Sequence, residues 1–151
     1  KAFTEGGEEL RSETLDDLVS NFGFWMGPEL KEYAGREAEL PFDEHELKAL
    51  VAPRVLFLSE AASDIWSNPV GNWQTTLAAR EVYKFLGAED KLLWYFRSGT
   101  HHHKIEDVEM LVCVIKHFKH GEPLNDQFFK LPFTPTERIF DWKCPDNTCD
   151  K

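Results

Sequence analysis

Two residues of this 151-residue chain have types and spacing that suit acid–base chemistry: Asp64 and, 37 positions later, His101. A carboxylate that hydrogen-bonds an imidazole orients it and stabilises its cation. The histidine can then take a proton from a nucleophile and return it to a leaving group. The same residues have plainer uses. Asp64 in Asp64-Ile65-Trp66-Ser67-Asn68-Pro69 can cap a turn, and His101 can be an ordinary loop histidine. Glu60 is a reserve acid close upstream. His101-His102-His103 is a poor metal chelate, because adjacent side chains diverge, so no metal and no cofactor is expected. Trp66 and Trp73 read first as packing residues. Ser12, Ser20, Ser59, Ser63, Ser67 and Ser98 all lie outside any Gly-x-Ser-x-Gly motif.

The elements that must position Asp64 and His101 alternate in type. Asp43 followed by Glu46 has the spacing of a capping box, and a short helix is expected over 44–51, stopped by Pro53. Arg54-Val55-Leu56-Phe57-Leu58-Ser59 is an apolar run of strand length, of the kind covered on both faces in a parallel sheet. A loop over 60–73 follows and carries Asp64. Leu77, Ala78, Val82, Phe85 and Leu86 predict a helix over 74–86 that Gly87 ends. Leu92-Leu93-Trp94-Tyr95-Phe96 is a second buried-type strand, and the next loop carries His101. Ile105, Val108, Leu111, Val112, Ile115 and Phe118 recur at helical spacing over 105–119. Glu106 and Asp107 sit in the first turn, Lys116 and Lys119 in the last, and Gly121 supplies the stop. Upstream, residues 1–20 offer only a weak surface helix near 12–20, and residues 21–42 read as packed but irregular.

Alternating helices and buried strands imply a parallel α/β sheet. Ligands of such sheets bind beyond the carboxyl ends of the strands, where both loops fall. An acid on one strand-end loop and a histidine on the next is the α/β-hydrolase order, in which a nucleophilic serine comes earlier in the chain. Two strands make a poor independent core. The expectation is therefore the C-terminal part of an α/β-hydrolase doubly wound parallel sheet, incomplete in this chain. Residues 1–42 would be a lead-in, 43–121 the α/β core and 122–151 an irregular tail. The opening Lys1-Ala2-Phe3-Thr4 reads like the interior of a longer polypeptide.

Composition narrows the function classes. With 12 Phe, 5 Trp, 3 Tyr and 42% hydrophobic residues, the chain can build a core. Seventeen basic against 27 acidic residues leave a net charge of −10, the wrong sign for a nucleic-acid backbone or an anionic membrane surface. No apolar run approaches bilayer-spanning length. Cys113, within Met110-Leu111-Val112-Cys113-Val114-Ile115, reads as a small buried hydrophobe. Cys144 and Cys149 bracket a turn-rich stretch where a disulfide stays open as a possibility.

From Trp25 to Phe118 the chain resembles the C-terminal half of the carbohydrate esterase family 15 glucuronoyl esterases and the acetyl-xylan-esterase-like hydrolases near them. The resemblance rests on Glu37-Ala38-Glu39-Leu40-Pro41-Phe42-Asp43-Glu44-His45-Glu46-Leu47, Ala49-Leu50-Val51-Ala52-Pro53-Arg54, Asp64-Ile65-Trp66-Ser67-Asn68-Pro69, Ala79-Arg80-Glu81-Val82-Tyr83-Lys84-Phe85-Leu86-Gly87 and Arg97-Ser98-Gly99-Thr100-His101 with Glu106-Asp107. It implies that His101 is the catalytic histidine, that Asp64 matches an acid that serves the histidine in some members while in others the working acid follows an earlier strand outside these residues, and that Trp66 packs against the glucuronoyl sugar. It implies a serine-type carboxylic ester hydrolase acting on plant cell-wall glucuronoxylan esters, without metal or cofactor, secreted or periplasmic. Its substrate would be a carbohydrate ester, and an N-terminal segment or chain would carry the nucleophilic serine. The family's Gly-Cys-Ser-Arg-x-Gly-Lys motif is not in these residues. Ala62-Ser63 replace two glutamates common in bacterial members, and Thr100 replaces a glycine. A non-catalytic remnant with a half α/β-hydrolase fold, serving as a binding or structural partner, is the alternative.

Overall fold

The computed structural model describes residues 3–5, 8–134, 137, 138 and 140–145. Two compact units divide the chain: Lys1–Asp43 with Ile65–Asn68, and Glu44–Asp64 with Pro69–Lys151.

In the first unit, β1 (Phe3–Glu5) pairs antiparallel with β2 (Glu8–Leu10). Neither strand was expected, because short polar strands lack an apolar alternation. Helix α1 (Leu15–Phe22) starts at a reciprocal cap. The Asp17 N–H donates to Thr14 Oγ1, and the Thr14 N–H donates to the Asp17 carboxylate. Helix α2 (Pro28–Lys31) begins on a proline, whose missing N–H costs nothing in a first turn. Ser12 Oγ donates to the Ile65 carbonyl at 3.0 Å, and the Glu13 N–H to the Trp66 carbonyl at 2.9 Å. These bonds tie the short Ile65–Ser67 turn to the segment before α1.

The second unit holds α3 (Glu44–Ala49), β3 (Leu56–Ala61), α4 (Pro69–Phe85), β4 (Leu92–Arg97) and α5 (Ile105–His120). Strands β3 and β4 run parallel, in register from Leu56 opposite Leu92 to Ala61 opposite Arg97, with α4 as the crossover. The expected alternation is present, with shifted boundaries. Strand β3 starts two residues later than its apolar run, and α4 starts five residues before the expected 74, at Pro69, a proline tolerated in the first turn.

Because strand side chains alternate, the sheet presents two faces. Leu93 and Tyr95 face α5 and cluster with Met110, Val114 and Phe128, against which Phe57 and Cys113 pack. Leu92 faces the other way and meets Tyr83 and Ala88. Tyr83, fully buried, donates its hydroxyl to the Arg54 carbonyl at 3.0 Å. Lys48 is also buried, with Nζ donating to Thr75 Oγ1 at 2.7 Å and to the Asn72 carbonyl at 3.1 Å, which couples α3 to α4. The face of α4 that is buried carries Trp73, Thr76, Ala79 and Tyr83, while the apolar Phe85 and Leu86 are exposed.

One stripe remains uncovered. Ile105, Val108, Leu111, Val112 and Ile115 are exposed along α5, although they form the clearest helical periodicity in the sequence. Helix α5 ends at Gly121, whose φ of +71° suits a residue without a Cβ.

Candidate active site: an acid and a histidine on adjacent strand ends

Strands β3 and β4 end side by side, so the segments leaving them run together. The Ala62 N–H donates to the Arg97 carbonyl at 2.9 Å, and the Ser63 N–H to the Gly99 carbonyl at 3.1 Å. These bonds extend the ladder beyond the strands and bring Asp64 alongside the loop that carries His101. Asp64 Oδ2 lies 2.8 Å from His101 Nδ1. The carboxylate is buried, whereas the imidazole side chain is 77% exposed. With Asp64 ionised, this bond requires the proton on Nδ1 and leaves Nε2 with the lone pair of a base. That is the arrangement in which an acid orients a histidine for proton transfer.

The remaining sequence candidates lie elsewhere. Trp66 belongs to the first unit, where its ring is partly exposed and the Arg11 guanidinium lies over it, 5.8 Å from the centroid. Glu60 points to the face opposite Ser59 and Ala61. It lies among Leu58, Trp73, Thr76, Trp94 and Phe96, with no room there for a water molecule. Burial pushes the Glu60 carboxyl above its ordinary range, and the Lys48 charge pulls it partly back. The imidazole partner is thus Asp64 and not the reserve acid. His102 and His103 are exposed, and His103 Nδ1 stands 3.8 Å from Asp107. Among the described residues, no three or more His, Cys, Asp or Glu side chains converge as a metal site would require. The Cys144–Cys149 question falls outside the described residues, because Cys149 is not among them.

Sequence reasoning did not single out the polar cluster beneath the His101 loop. Arg97 and Asp107, both buried, form an ion pair. Arg97 Nε donates to the two Asp107 oxygens at 2.9 and 2.8 Å. Ser59 Oγ donates to Asp107 Oδ1 at 2.6 Å, and the Lys104 N–H to Oδ2 at 2.8 Å. Burial acts to raise the Asp107 carboxyl, but the bonds from Lys104, Ser59 and Arg97 outweigh it and hold the group below the ordinary carboxylate range. The available signal was a charged residue closing a buried strand, facing an acid at the third position of a helix. Each alone reads as a solvated charge.

A parallel sheet with an acid–histidine pair on neighbouring strand ends defines an α/β hydrolase-type scaffold. Comparison with known proteins makes the class specific. The family model for "Glucuronyl esterase, fungi" matches residues 2–87. The chain is 35% identical over 75 residues to the carbohydrate esterase MZ0003 of an unknown prokaryotic organism, covering 50% of this chain and 17% of that protein. It is 29% identical over 125 residues to the 4-O-methyl-glucuronoyl methylesterase of Hypocrea jecorina, covering 80% and 27%. Its fold superposes on a carbohydrate esterase family 15 glucuronoyl esterase from Caldicellulosiruptor kristjansonii with a TM-score of 0.82 at 32% identity, covering 89% of this chain and 35% of that one. The chain belongs to the glucuronoyl esterase family, and its fold is part of the α/β-hydrolase fold of those enzymes. It spans about a third or less of the length of these relatives. Among the described residues, no helix is long and apolar enough to cross a membrane.

Proposed function

We propose that this chain supplies the acid and the histidine of a serine-type esterase that cleaves glucuronoyl esters of plant cell-wall xylan. The observation that carries this is the 2.8 Å bond between Asp64 and His101 on adjacent strand ends of a glucuronoyl esterase family fold. His101 Nε2 takes the proton of a serine hydroxyl as that oxygen attacks the ester carbonyl, and returns it to the departing alcohol. Asp64 keeps the imidazole in the Nδ1–H form and stabilises its cation through both steps. Water then attacks the acyl-enzyme by the same route. Trp66 packs against the sugar ring of the substrate.

The serine comes from a segment preceding these residues or from a companion chain, and residues 1–151 form the C-terminal portion of one domain. Two surfaces suit that addition. The exposed stripe Val108, Leu111, Val112 and Ile115 needs an apolar cover. Strand β3 has β4 as its one partner among the described strands, which leaves an edge for a further strand. An esterase of cell-wall polymers acts outside the cytoplasm, so the protein is secreted or periplasmic.

The test is hydrolysis of a glucuronate methyl or benzyl ester by this chain together with the polypeptide encoded upstream of it. His101→Ala is expected to lower kcat at least about a thousandfold, and Asp64→Asn about ten-thousandfold by favouring the wrong tautomer. Full activity in His101→Ala refutes the assignment. No activity with a serine elbow present and bound would mark the chain as a non-catalytic member.

A further inference from the structure

His101 has little packing to hold it, since 77% of its side chain is exposed. A hydrogen bond that selects one tautomer needs a backbone held to within about 0.5 Å. Something other than packing must therefore hold the loop, and the atoms beneath it identify the device. Arg97 is the last residue of β4, and its guanidinium reaches forward under the turn. Nη1 donates to the Ser98 carbonyl at 3.3 Å and to the Thr100 carbonyl at 3.1 Å, and Nη2 donates to the His102 carbonyl at 2.6 Å. Thr100 and His102 are the two neighbours of His101, so one rigid planar group holds the backbone on both sides of the histidine. The same guanidinium is fixed from below, where Nε bonds to Asp107 and Asp107 is bonded in turn to Ser59 on β3 and the N-terminus of α5.

Gly99 completes the arrangement. Its φ is +103°, and a Cβ there would stand 2.9 Å from Lys104 Nζ and 3.6 Å from Arg97 Nη1. A residue with a side chain is strained at this φ, so glycine at position 99 lets the loop turn over the guanidinium.

We propose that Arg97, braced by Asp107 and Ser59, is a positioning residue that holds the His101 backbone so that Nδ1 meets Asp64. This rests on the reading of Asp64 and His101 as the acid–histidine pair. Lysine cannot substitute for this function, because a single ammonium cannot span both carbonyls while holding Asp107 edge-on.

The test reads the tautomer directly, from two-bond proton–nitrogen couplings of the 15N-labelled 151-residue chain at a pH where imidazoles are neutral. His101 is expected in the Nδ1–H form. His117, whose Nδ1 lies 2.7 Å from the Glu122 carbonyl, should share it and serves as the fold control. In Arg97→Lys, His101 is expected to lose the Nδ1–H signature while His117 keeps it. If His101 retains that signature in Arg97→Lys, the proposal is overturned and the acid–histidine reading stands. If the unaltered chain shows His101 as Nε2–H, both are overturned. If Arg97→Lys loses the His117 signature as well, the unaltered chain decides. Scalar couplings across the hydrogen bonds from Arg97 Nη atoms to the Thr100 and His102 carbonyls support the clamp, and their absence overturns it.

Discussion

Asp107→Ala isolates the energetic cost of the buried cluster. The substitution leaves the Arg97 guanidinium with side-chain exposure of 4% and no carboxylate partner at the end of β4. Breaking a buried ion pair from one side costs about 3–5 kcal/mol, because the surviving charge stays desolvated. The lost cap on the Lys104 N–H adds about 1 kcal/mol. The sum, about 4–6 kcal/mol, is a large fraction of the stability of a domain this size. Urea titration at pH 7, followed by tryptophan fluorescence from the buried Trp73 and Trp94, reads it out. The companion is Arg97→Met/Asp107→Leu, which removes both charges. It is expected to recover at least about 2 kcal/mol relative to Asp107→Ala, since no lone charge remains buried. The pH dependence follows from the depressed Asp107 carboxyl. A carboxyl with a folded-state pKa below its unfolded value of 3.8 stabilises the fold above that value. The contribution disappears as pH falls through the lower folded-state value. The gap between wild type and Asp107→Ala should therefore be full at pH 7 and begin to narrow as pH falls below about 4. A loss under about 1 kcal/mol at pH 7, or a double variant no more stable than the single one, refutes this account of the cluster.

Two further outcomes are expected. Leu93→Ala, at a position with no exposed surface between β4 and α5, should cost about 2–5 kcal/mol in the same titration, and a cost below 1 kcal/mol would contradict the packing described. Glu60→Gln should raise the urea midpoint at pH 7, because burial lifts this carboxyl above 4.5 and its ionised form is penalised in the folded state. For a raised carboxyl the penalty is absent below the unfolded value and grows as pH rises through the folded one. The advantage of the glutamine should vanish near pH 4, and a midpoint lowered at pH 7 would count against a net desolvation penalty.

How much was legible in the residues differs by element. Strand β4 and helix α5 were readable nearly to the residue, because an unbroken apolar run and a clean helical period are local signals. The early start of α4 was not, since Pro69 and Gly71 read as loop punctuation, and only the crossover shows that the proline occupies a first turn. Strands β1 and β2 left no apolar alternation to find. Periodicity also located the apolar stripe on α5 without telling which stripe the sheet would cover. Met110 and Val114 turned inward, and Leu111 and Ile115 outward.

The sequence by itself determined the alternation of helix and strand and the placing of Asp64 and His101 on consecutive strand ends. These follow from short-range periodicity and chain order, which any reader of the residues can use. Only the tertiary structure decided that Asp64 and not Glu60 meets the imidazole, because the Ala62 and Ser63 N–H groups bond the Arg97 and Gly99 carbonyls and carry the turn with Asp64 beside the His101 loop, while Glu60 stays within β3. Only it showed Arg97 beneath the loop, held by an aspartate from α5 that a serine from β3 bonds in turn. Three separate elements contribute to that cluster, and their meeting depends on a parallel crossover that no local stretch of sequence encodes.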